Sequence, residues 1–258
     1  MLDTKNNPYL SMKKTFLAAL LVGLTVMPCA LAQMGAPAGI NAALPKLFGD
    51  ITAFSAKADM QVLDKEQKEK ITAPMDFALL DKKVRVELDM TRMKNKDLPP
   101  TALAGMKQMG MDRVITISPP DQKTTCIIFP GLEAYFNLTV PQDDVATFEK
   151  DSKVTKTALG KETINGHPCV KNQVVITDDK GEKHEATVWS ATDLKDFPVR
   201  ILSKEKDDTI IMNFKDIKLA RPDAKLFEKP AGYTEYPSKE AMMQAVMMKM
   251  MQSGTGTK

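Results

Sequence analysis

Apolar and polar residues alternate along this chain between residues 60 and 90. The apolar positions are Met60 and Val62, then Met75, Phe77 and Leu79, and then Val84, Val86, Leu88 and Met90. A period of two residues is typical of β-strands that bury one face and expose the other. These residues therefore predict antiparallel strands, with a hairpin turn at residues 80–83.

Strand patterns continue to residue 219 with short connections. After a break at Pro99-Pro100, residues 101–108 predict a short helix that ends at Gly110. Further strands are predicted at residues 113–118, 123–130, 131–138, 154–163, 168–177, 182–191, 199–204 and 209–219. About ten strands and few helices predict an α+β fold, built on a single antiparallel sheet that is strongly curved or partly closed.

Helices are also predicted near the start, in the middle and at the end of the chain. They cover residues 41–48, a charged segment at 141–151, and a methionine-rich segment at 238–252 that is followed by a frayed tail. The predicted organisation is a signal segment at 1–32, a sheet domain at 33–237, and the methionine-rich helix and tail at 238–258.

The first 32 residues have the layout of a secretory signal peptide. Lys13 and Lys14 precede the uncharged run 15–27, and Ala30-Leu31-Ala32 supplies small residues for cleavage near Ala32/Gln33. The run is shorter than the roughly 20 residues that span a bilayer, which disfavours an uncleaved anchor. Pro28 disfavours a lipid on Cys29, and Met12 is an alternative start. The sequence predicts an exported protein, periplasmic or extracellular, with no transmembrane segment in the mature chain.

Removal of the signal peptide leaves two cysteines, Cys126 and Cys169. In an oxidising compartment such a pair is a candidate disulfide. The alternative is two buried thiols in separate strands, which behave as small apolar residues. The sequence leaves both open, because it does not fix the distance between the two Cβ atoms.

Charge and motif content exclude several classes of function. The net charge is +3, of which the first 32 residues carry +2 (three Lys against one Asp), so the mature chain carries +1. Such a balance predicts no nucleic-acid partner. His167 and His184 stand outside any recognisable catalytic or metal-binding motif. We therefore predict a protein that is not an enzyme and that uses no cofactor and no metal.

Several short motifs carry a resemblance to a known fold family. They are residues 160–169 (GKETINGHPC), Trp189-Ser190-Ala191, residues 196–201 (DFPVRI) and residues 223–233, with weaker matches at 110–112 and 129–135. Their order resembles proteins with the LolA/LolB-type lipoprotein carrier fold, and most closely uncharacterised exported members of that superfamily. The resemblance implies an open half-barrel whose concave face is covered by helices.

The resemblance also implies a type of ligand. In the carriers the concave cavity takes lipoprotein acyl chains, and relatives serve other envelope tasks, including sensing. The carriers use an arginine to hold a lid over the empty cavity. Arg85, Arg92 and Arg113 are all candidates, and none lies in a diagnostic context, so no family residue is assigned here.

Methionine is the unusual residue of this composition, with 18 among 258 residues. On the last helix Met243, Met247, Met250 and Met251 follow the spacing of one apolar stripe, while Met242 and Met248 fall outside it. Three interpretations stay open: ordinary packing on the sheet, a mobile lid over an acyl-chain cavity, and Cu(I) binding through soft thioether sulfur.

The leading hypothesis is a non-catalytic exported binding protein that holds an apolar ligand, a lipid or a lipoprotein acyl chain. The competing hypothesis is an envelope interaction or sensor module whose interior is filled. A pocket of several hundred Å³ would favour the first. Lipids, acylated proteins and envelope proteins are the predicted partners. The candidate ligand-binding residues are Met60, Val62, Phe77, Val86, Leu88, Met106, Met109, Met243 and Met247.

Overall fold

The alternating segments form strands of one sheet in the computed structural model, which describes residues 47–119, 123–139, 153–177, 181, 183–205 and 207–254. These residues all belong to one compact unit, 42–258. The predicted signal peptide, most of the helix at 41–48, the helix at 141–151 and the end of the tail lie outside the described residues.

Thirteen strands make up the described sheet. They are β1 (Ala53–Leu63), β2 (Glu69–Leu80), β3 (Lys83–Asp89), β4 (Lys94–Asn95), β5 (Arg113–Ser118), β6 (Thr124–Phe129), β7 (Ala134–Thr139), β8 (Lys153–Ile164), β9 (His167–Thr177), β10 (Lys183–Ala191), β11 (Phe197–Glu205), β12 (Asp208–Lys218) and β13 (Thr234–Tyr236). Within the same ranges the helices are α1 (Pro100–Gln108) and α2 (Lys239–Gly254), and short 3-10 turns lie at Met90–Arg92, Pro130–Leu132, Thr192–Leu194 and Ala224–Phe227.

The strand order is β13-β7-β6-β5-β3-β2-β1-β12-β11-β10-β9-β8, with β4 paired to β2. The described neighbours pair antiparallel, except that β13 runs parallel to β7. The sheet is strongly curved and not closed, which confirms that part of the predicted fold class. The prediction of about ten strands was too low. It missed β4 and β13, which have two and three residues, because such short strands cannot show a period of two.

Strand register divides the sheet into two faces. Cross-strand partners share a face, so the pairs Met60 with Ala73, Val62 with Ile71 and Phe77 with Val86 lie on one side. We call this the apolar face. Its opposite, the charged face, carries Asp59, Arg85, Glu87 and Arg113 among others.

Five phenylalanine rings fill the centre of the apolar face. Phe54, Phe77, Phe197 and Phe214 come from β1, β2, β11 and β12, and Phe48 precedes the first strand. Neighbouring ring centroids lie 4.7 to 6.5 Å apart, a range in which tilted and edge-to-face rings attract. This phenylalanine cluster is a packed core.

A second apolar cluster lies on the charged face near β5, β6 and β7. Phe227, from the 3-10 turn at Ala224–Phe227, packs there against Leu80, Ile117, Ile128 and Tyr135. The sheet is therefore covered on both faces at this end. This explains why Ala78, Leu79 and Leu80 are buried in succession, although they point to opposite sides.

The two cysteines are free, buried thiols, which is the second of the two alternatives that the sequence left open for Cys126 and Cys169. Cys126 lies in β6 and Cys169 in β9, and seven strands separate these two in the sheet order. A disulfide requires Cα atoms within about 7 Å, a condition that strands so far apart do not meet. Both thiols are buried, and burial raises the pKa of each above its ordinary value.

Candidate apolar binding site

An area of aliphatic side chains on the apolar face is only half buried. Next to the phenylalanine cluster, neighbouring strands present Val62, Ile71, Met75, Leu88 and Ile210, each partly open to solvent. Val62 pairs with both Ile71 and Ile210 in one row across β12, β1 and β2, and Met75 pairs with Leu88 in a second row across β2 and β3. The buried pair Met60 and Ala73 lies between the two rows. We call the five residues of the two rows and Val86, the cross-strand partner of Phe77, the aliphatic patch.

A cleft of about 160 Å³ opens at the β7 end of the sheet. Ala134, which pairs with Phe129, forms part of its wall. The other walls come from the end of α1, the turn before β7, β13 and α2. The lining residues are Gln108, Met109, Leu132, Ala134, Tyr236, Val246, Lys249 and Met250. The cleft therefore has apolar walls with polar groups among them, as ligand sites commonly do.

The structure distributes the nine predicted ligand residues over several environments. Met60, Phe77 and Met106 are buried. Val62, Val86 and Leu88 belong to the half-buried aliphatic patch, and Met109 lines the cleft. Met243 and Met247 are half buried on α2 and do not line the cleft. Whether any of the nine contacts a ligand stays a prediction.

The predicted packing stripe of the last helix was wrong. Met242, placed outside the stripe, is fully buried, and Val246 one turn later is also buried. Met251, placed inside the stripe, is 62% exposed. Methionine on every side of a helix gives no clear hydrophobic direction, so sequence periodicity could not find the buried face.

Leu132, Ala134, Val246 and Met250 were missed as candidate site residues. Leu132 and Ala134 lie in the segment at 129–135 that carried a family resemblance, and Met250 lies in the methionine-rich helix. The sequence marks each of these segments separately. Their meeting around one cleft depends on α2 contacting β7 and β13, which no local pattern encodes.

The titratable side chains of the described ranges do not converge on a metal site. Within those ranges, no group of three or more His, Cys, Asp or Glu side chains is arranged to hold a metal ion. His167 Nδ1 lies 2.8 Å from Asp193 Oδ2 in a partly exposed pair. Among the helices described, none is both long enough and apolar enough to cross a membrane.

Two of the three arginines considered for a lid bind a carboxylate on the charged face. Arg85 Nη2 lies 2.5 Å from Glu87 Oε2, and Arg113 also donates to Glu87. Burial of Glu87 raises its pKa, but hydrogen bonds from the two guanidinium groups outweigh that effect and hold the pKa below its ordinary value. Arg113 therefore links β5 to β3, Arg85 pairs with Glu87 within β3, and both arginines lie on the side away from the aliphatic patch.

We expect the Glu87→Gln variant to lose about 1.5–3 kcal/mol of unfolding free energy at pH 7, because charged hydrogen bonds are lost and Arg85 stays nearly buried. A lowered folded-state pKa stabilises the protein above the ordinary value of 4.5, and this contribution disappears as the pH falls through the folded-state pKa. Urea unfolding from pH 7 to pH 3 should show the two proteins converge in acid. Glu66→Gln, in an exposed pair, should change stability by under about 0.5 kcal/mol. A stability difference between the Glu87→Gln variant and the unaltered protein that does not change with pH would contradict the role assigned to the Glu87 carboxylate.

Several solved structures resemble this fold at low sequence identity. A LolA superfamily protein from Nitrosomonas europaea is 10% identical, with a TM-score of 0.37 over 75% of this chain and 99% of that chain. Lipoprotein LppX from Mycobacterium tuberculosis is 15% identical, with a TM-score of 0.38 over 70% and 93%. A chain of the Pseudomonas aeruginosa MucA/MucB complex is 12% identical, with a TM-score of 0.39 over 75% and 62%. The predicted LolA resemblance is confirmed as a distant likeness of fold, which carries no information about ligands.

Residues 59–197 match the family described as a domain of unknown function, DUF4412. The match covers more than half of the chain, so the chain belongs to the DUF4412 family. It extends from β1 to the first residue of β11 and includes most of the aliphatic patch. No curated protein matches the sequence.

Proposed function

We propose that this protein is an exported, non-catalytic binding protein whose apolar face holds the hydrocarbon chain of a lipid or of an acylated protein. The observation that carries the proposal is the aliphatic patch. It is a group of aliphatic side chains in two cross-strand rows, each partly open to solvent, beside a fully packed phenylalanine cluster. Soluble proteins seldom leave grouped apolar side chains uncovered unless they bind something.

Methionines support the proposal through the cleft at the β7 end. Met109 and Met250 line it from two different helical segments. Methionine side chains are unbranched and change shape easily, so they suit a wall that must fit a flexible chain. The cleft, at about 160 Å³, is smaller than the 300–1,000 Å³ that is typical of small-molecule sites. We therefore propose that a bound chain lies along the aliphatic patch and that its end enters the cleft by displacing α2 and its methionines.

A fluorescent fatty acid, cis-parinaric acid, tests the proposal. The unaltered protein should bind it saturably, and the Met75→Ser, Leu88→Ser double variant should bind it at least about tenfold more weakly. Full burial of an exposed apolar side chain contributes about 1.5–3 kcal/mol. Because Met75 and Leu88 are already partly buried, the two together should contribute about 1.4 kcal/mol, which is a factor of ten in affinity. The measurement is a fluorescence titration, with urea unfolding of each variant to show that it is folded.

The matched control places the same chemical change on exposed residues outside the patch. Leu159→Ser with Leu226→Ser removes two apolar side chains that are 55% and 44% exposed. This control should bind cis-parinaric acid as the unaltered protein does. Equal affinity of the patch variant and the control, or no binding to the unaltered protein, would reject the proposal.

The second candidate function is an interaction module with a filled interior. The phenylalanine cluster favours it, because five rings occupy the centre of the face that a ligand would otherwise enter. The titration separates the two functions. An interaction module should leave cis-parinaric acid unbound by the unaltered protein, even though that protein is fully folded.

A further inference from the structure

Strand β8 forms one edge of the sheet and is open along almost its whole length. It has 12 residues, and among the described strands it pairs only with β9. Every residue from Lys153 to Thr163 is exposed, and Ile164 alone is buried. The opposite edge is β13, which has three residues. Of the two edge strands of the described sheet, β8 is therefore much the longer.

An edge strand offers unused hydrogen-bonding groups to another strand. At a free edge, alternate residues direct their N–H and C=O groups away from the sheet. The β8–β9 pairing is regular from Lys153 to Ala158 and shifts register between Ala158 and Gly160. An added strand could therefore follow β8 without interruption over the six residues 153–158, about 20 Å at 3.4 Å per residue.

The charge of β8 selects among strands that could add to it. Lys153, Lys156 and Lys161 lie along the strand, and Glu162 is its one acidic residue. The Glu162 carboxylate accepts a hydrogen bond from Trp189 Nε1 at 2.8 Å and pairs with Lys171 at 3.2 Å. The lysines therefore dominate this edge. Edge lysines repel other positively charged strands, including β8 of a second copy, and attract acidic ones.

We propose that the outer edge of β8 binds an extended acidic segment of a partner protein by strand addition, chiefly along residues 153–158. Main-chain hydrogen bonds supply affinity in this mode, and side chains supply selectivity. Lys153 and Lys156 lie on opposite faces of β8, so the segment carries acidic side chains on both of its faces, and an apolar side chain of the segment contacts Val154, which is 36% exposed. The site is separate from the aliphatic patch, so the proposal stands independently of lipid binding.

Three capped, labelled ten-residue peptides test the proposal against the full protein by fluorescence anisotropy. The first repeats Glu-Glu-Val-Thr, which puts acidic side chains on both faces of an added strand. In the second, Lys replaces each Glu. The third is the acidic peptide with an N-methyl group on every one of its six central residues, which removes the hydrogen-bond donors of both of its edges. The acidic peptide should bind saturably, and the Lys peptide at least tenfold more weakly. The N-methylated peptide should also lose at least tenfold, because it keeps the charge but cannot form the ladder.

Charge-reversal variants place the binding on β8. In the first variant Lys153, Lys156 and Lys161 are each replaced by Glu, and this variant should bind the Lys peptide in preference to the acidic one. The control variant carries the same charge change at three other exposed residues, Lys65→Glu, Lys107→Glu and Lys225→Glu. It should behave as the unaltered protein. Both variants should retain affinity for cis-parinaric acid.

Four results would overturn the proposal. Equal binding of the N-methylated peptide would show an electrostatic surface without strand addition. Binding to anionic phosphatidylglycerol vesicles that the β8 variant alone loses, with weak peptide binding, would assign the lysines to lipid headgroups. Equal loss in both charge variants would show a net-charge effect. Absence of acidic-peptide binding would reject the site.

Discussion

Replacing Phe214 by alanine should lower the free energy of unfolding by about 3–5 kcal/mol, the usual cost of removing a buried aromatic ring. Phe214 is completely buried. The centroids of the other four rings of the phenylalanine cluster lie 5.4 to 6.5 Å from its own. Those rings come from separate segments of the chain and cannot close the resulting cavity without distorting the strands that carry them. Urea unfolding monitored by circular dichroism measures the loss.

The control for Phe214 is Leu159→Ala, a truncation at a residue that is 55% exposed on β8. It should change stability by under about 0.5 kcal/mol. The Phe214→Ala protein, kept below its unfolding transition, should bind cis-parinaric acid with unchanged affinity, because the cluster is core and the aliphatic patch is intact. A stability loss below about 1 kcal/mol would show that the rings do not form a packed core.

Replacing Gly131 by alanine should destabilise the protein by about 3 kcal/mol, the upper end of overpacking costs. A Cβ at Gly131 would lie 2.5 Å from the carbonyl oxygen of Gly110 and 2.8 Å from its Cα. Both obstacles are backbone atoms, so no side-chain rotation can relieve the clash. Gly110 also has a φ of +69°, a conformation that disfavours other residues.

The same contact should influence the cleft. Gly110 follows Met109 and Gly131 precedes Leu132, and both of these neighbours line the cleft. The Gly131→Ala variant should push the two glycine segments apart and so shift Leu132 relative to Met109. We expect this shift to weaken the binding of cis-parinaric acid.

Gly105→Ala is the matched control for Gly131→Ala. Gly105 lies in α1, where an added Cβ would meet no atom within 4 Å, and it should tolerate alanine or gain up to about 1 kcal/mol. Thermal and urea unfolding compare the three proteins. Equal stability of the two alanine variants would show that Gly110 and Gly131 do not approach as closely as described.

The period of two residues was enough to predict which side chains share a face. Met60, Val62, Phe77, Val86 and Leu88 were grouped from alternation alone, and the strand register puts all five on the apolar face. Alternation succeeds because successive side chains of a strand point to opposite sides. It does not say how deeply each is buried. Phe77 is buried within the cluster and Val86 is half open, a difference that depends on what lies above each of them.

The candidate site was less predictable than the strands. The cleft joins Met109, Leu132, Tyr236 and Val246, which are distant in the chain and belong to different elements. Their proximity follows from the parallel pairing of β13 with β7, which sets where α2 begins. Glu235 supports that pairing by accepting hydrogen bonds at 2.9 Å from both Tyr135 and Asn137. Three residues of strand are too few to reveal such a pairing in a sequence.

The sequence by itself determined the strand-rich class, the division of each strand into two faces, and the helices predicted at 101–108 and 238–252, because these depend on interactions between neighbours along the chain. Only the tertiary structure decided the separation of Cys126 from Cys169, the buried side of α2, the position of the cleft and the exposure of β8. Those features depend on the order of strands in the sheet. That order is set by contacts between residues far apart in the chain, which local patterns do not record.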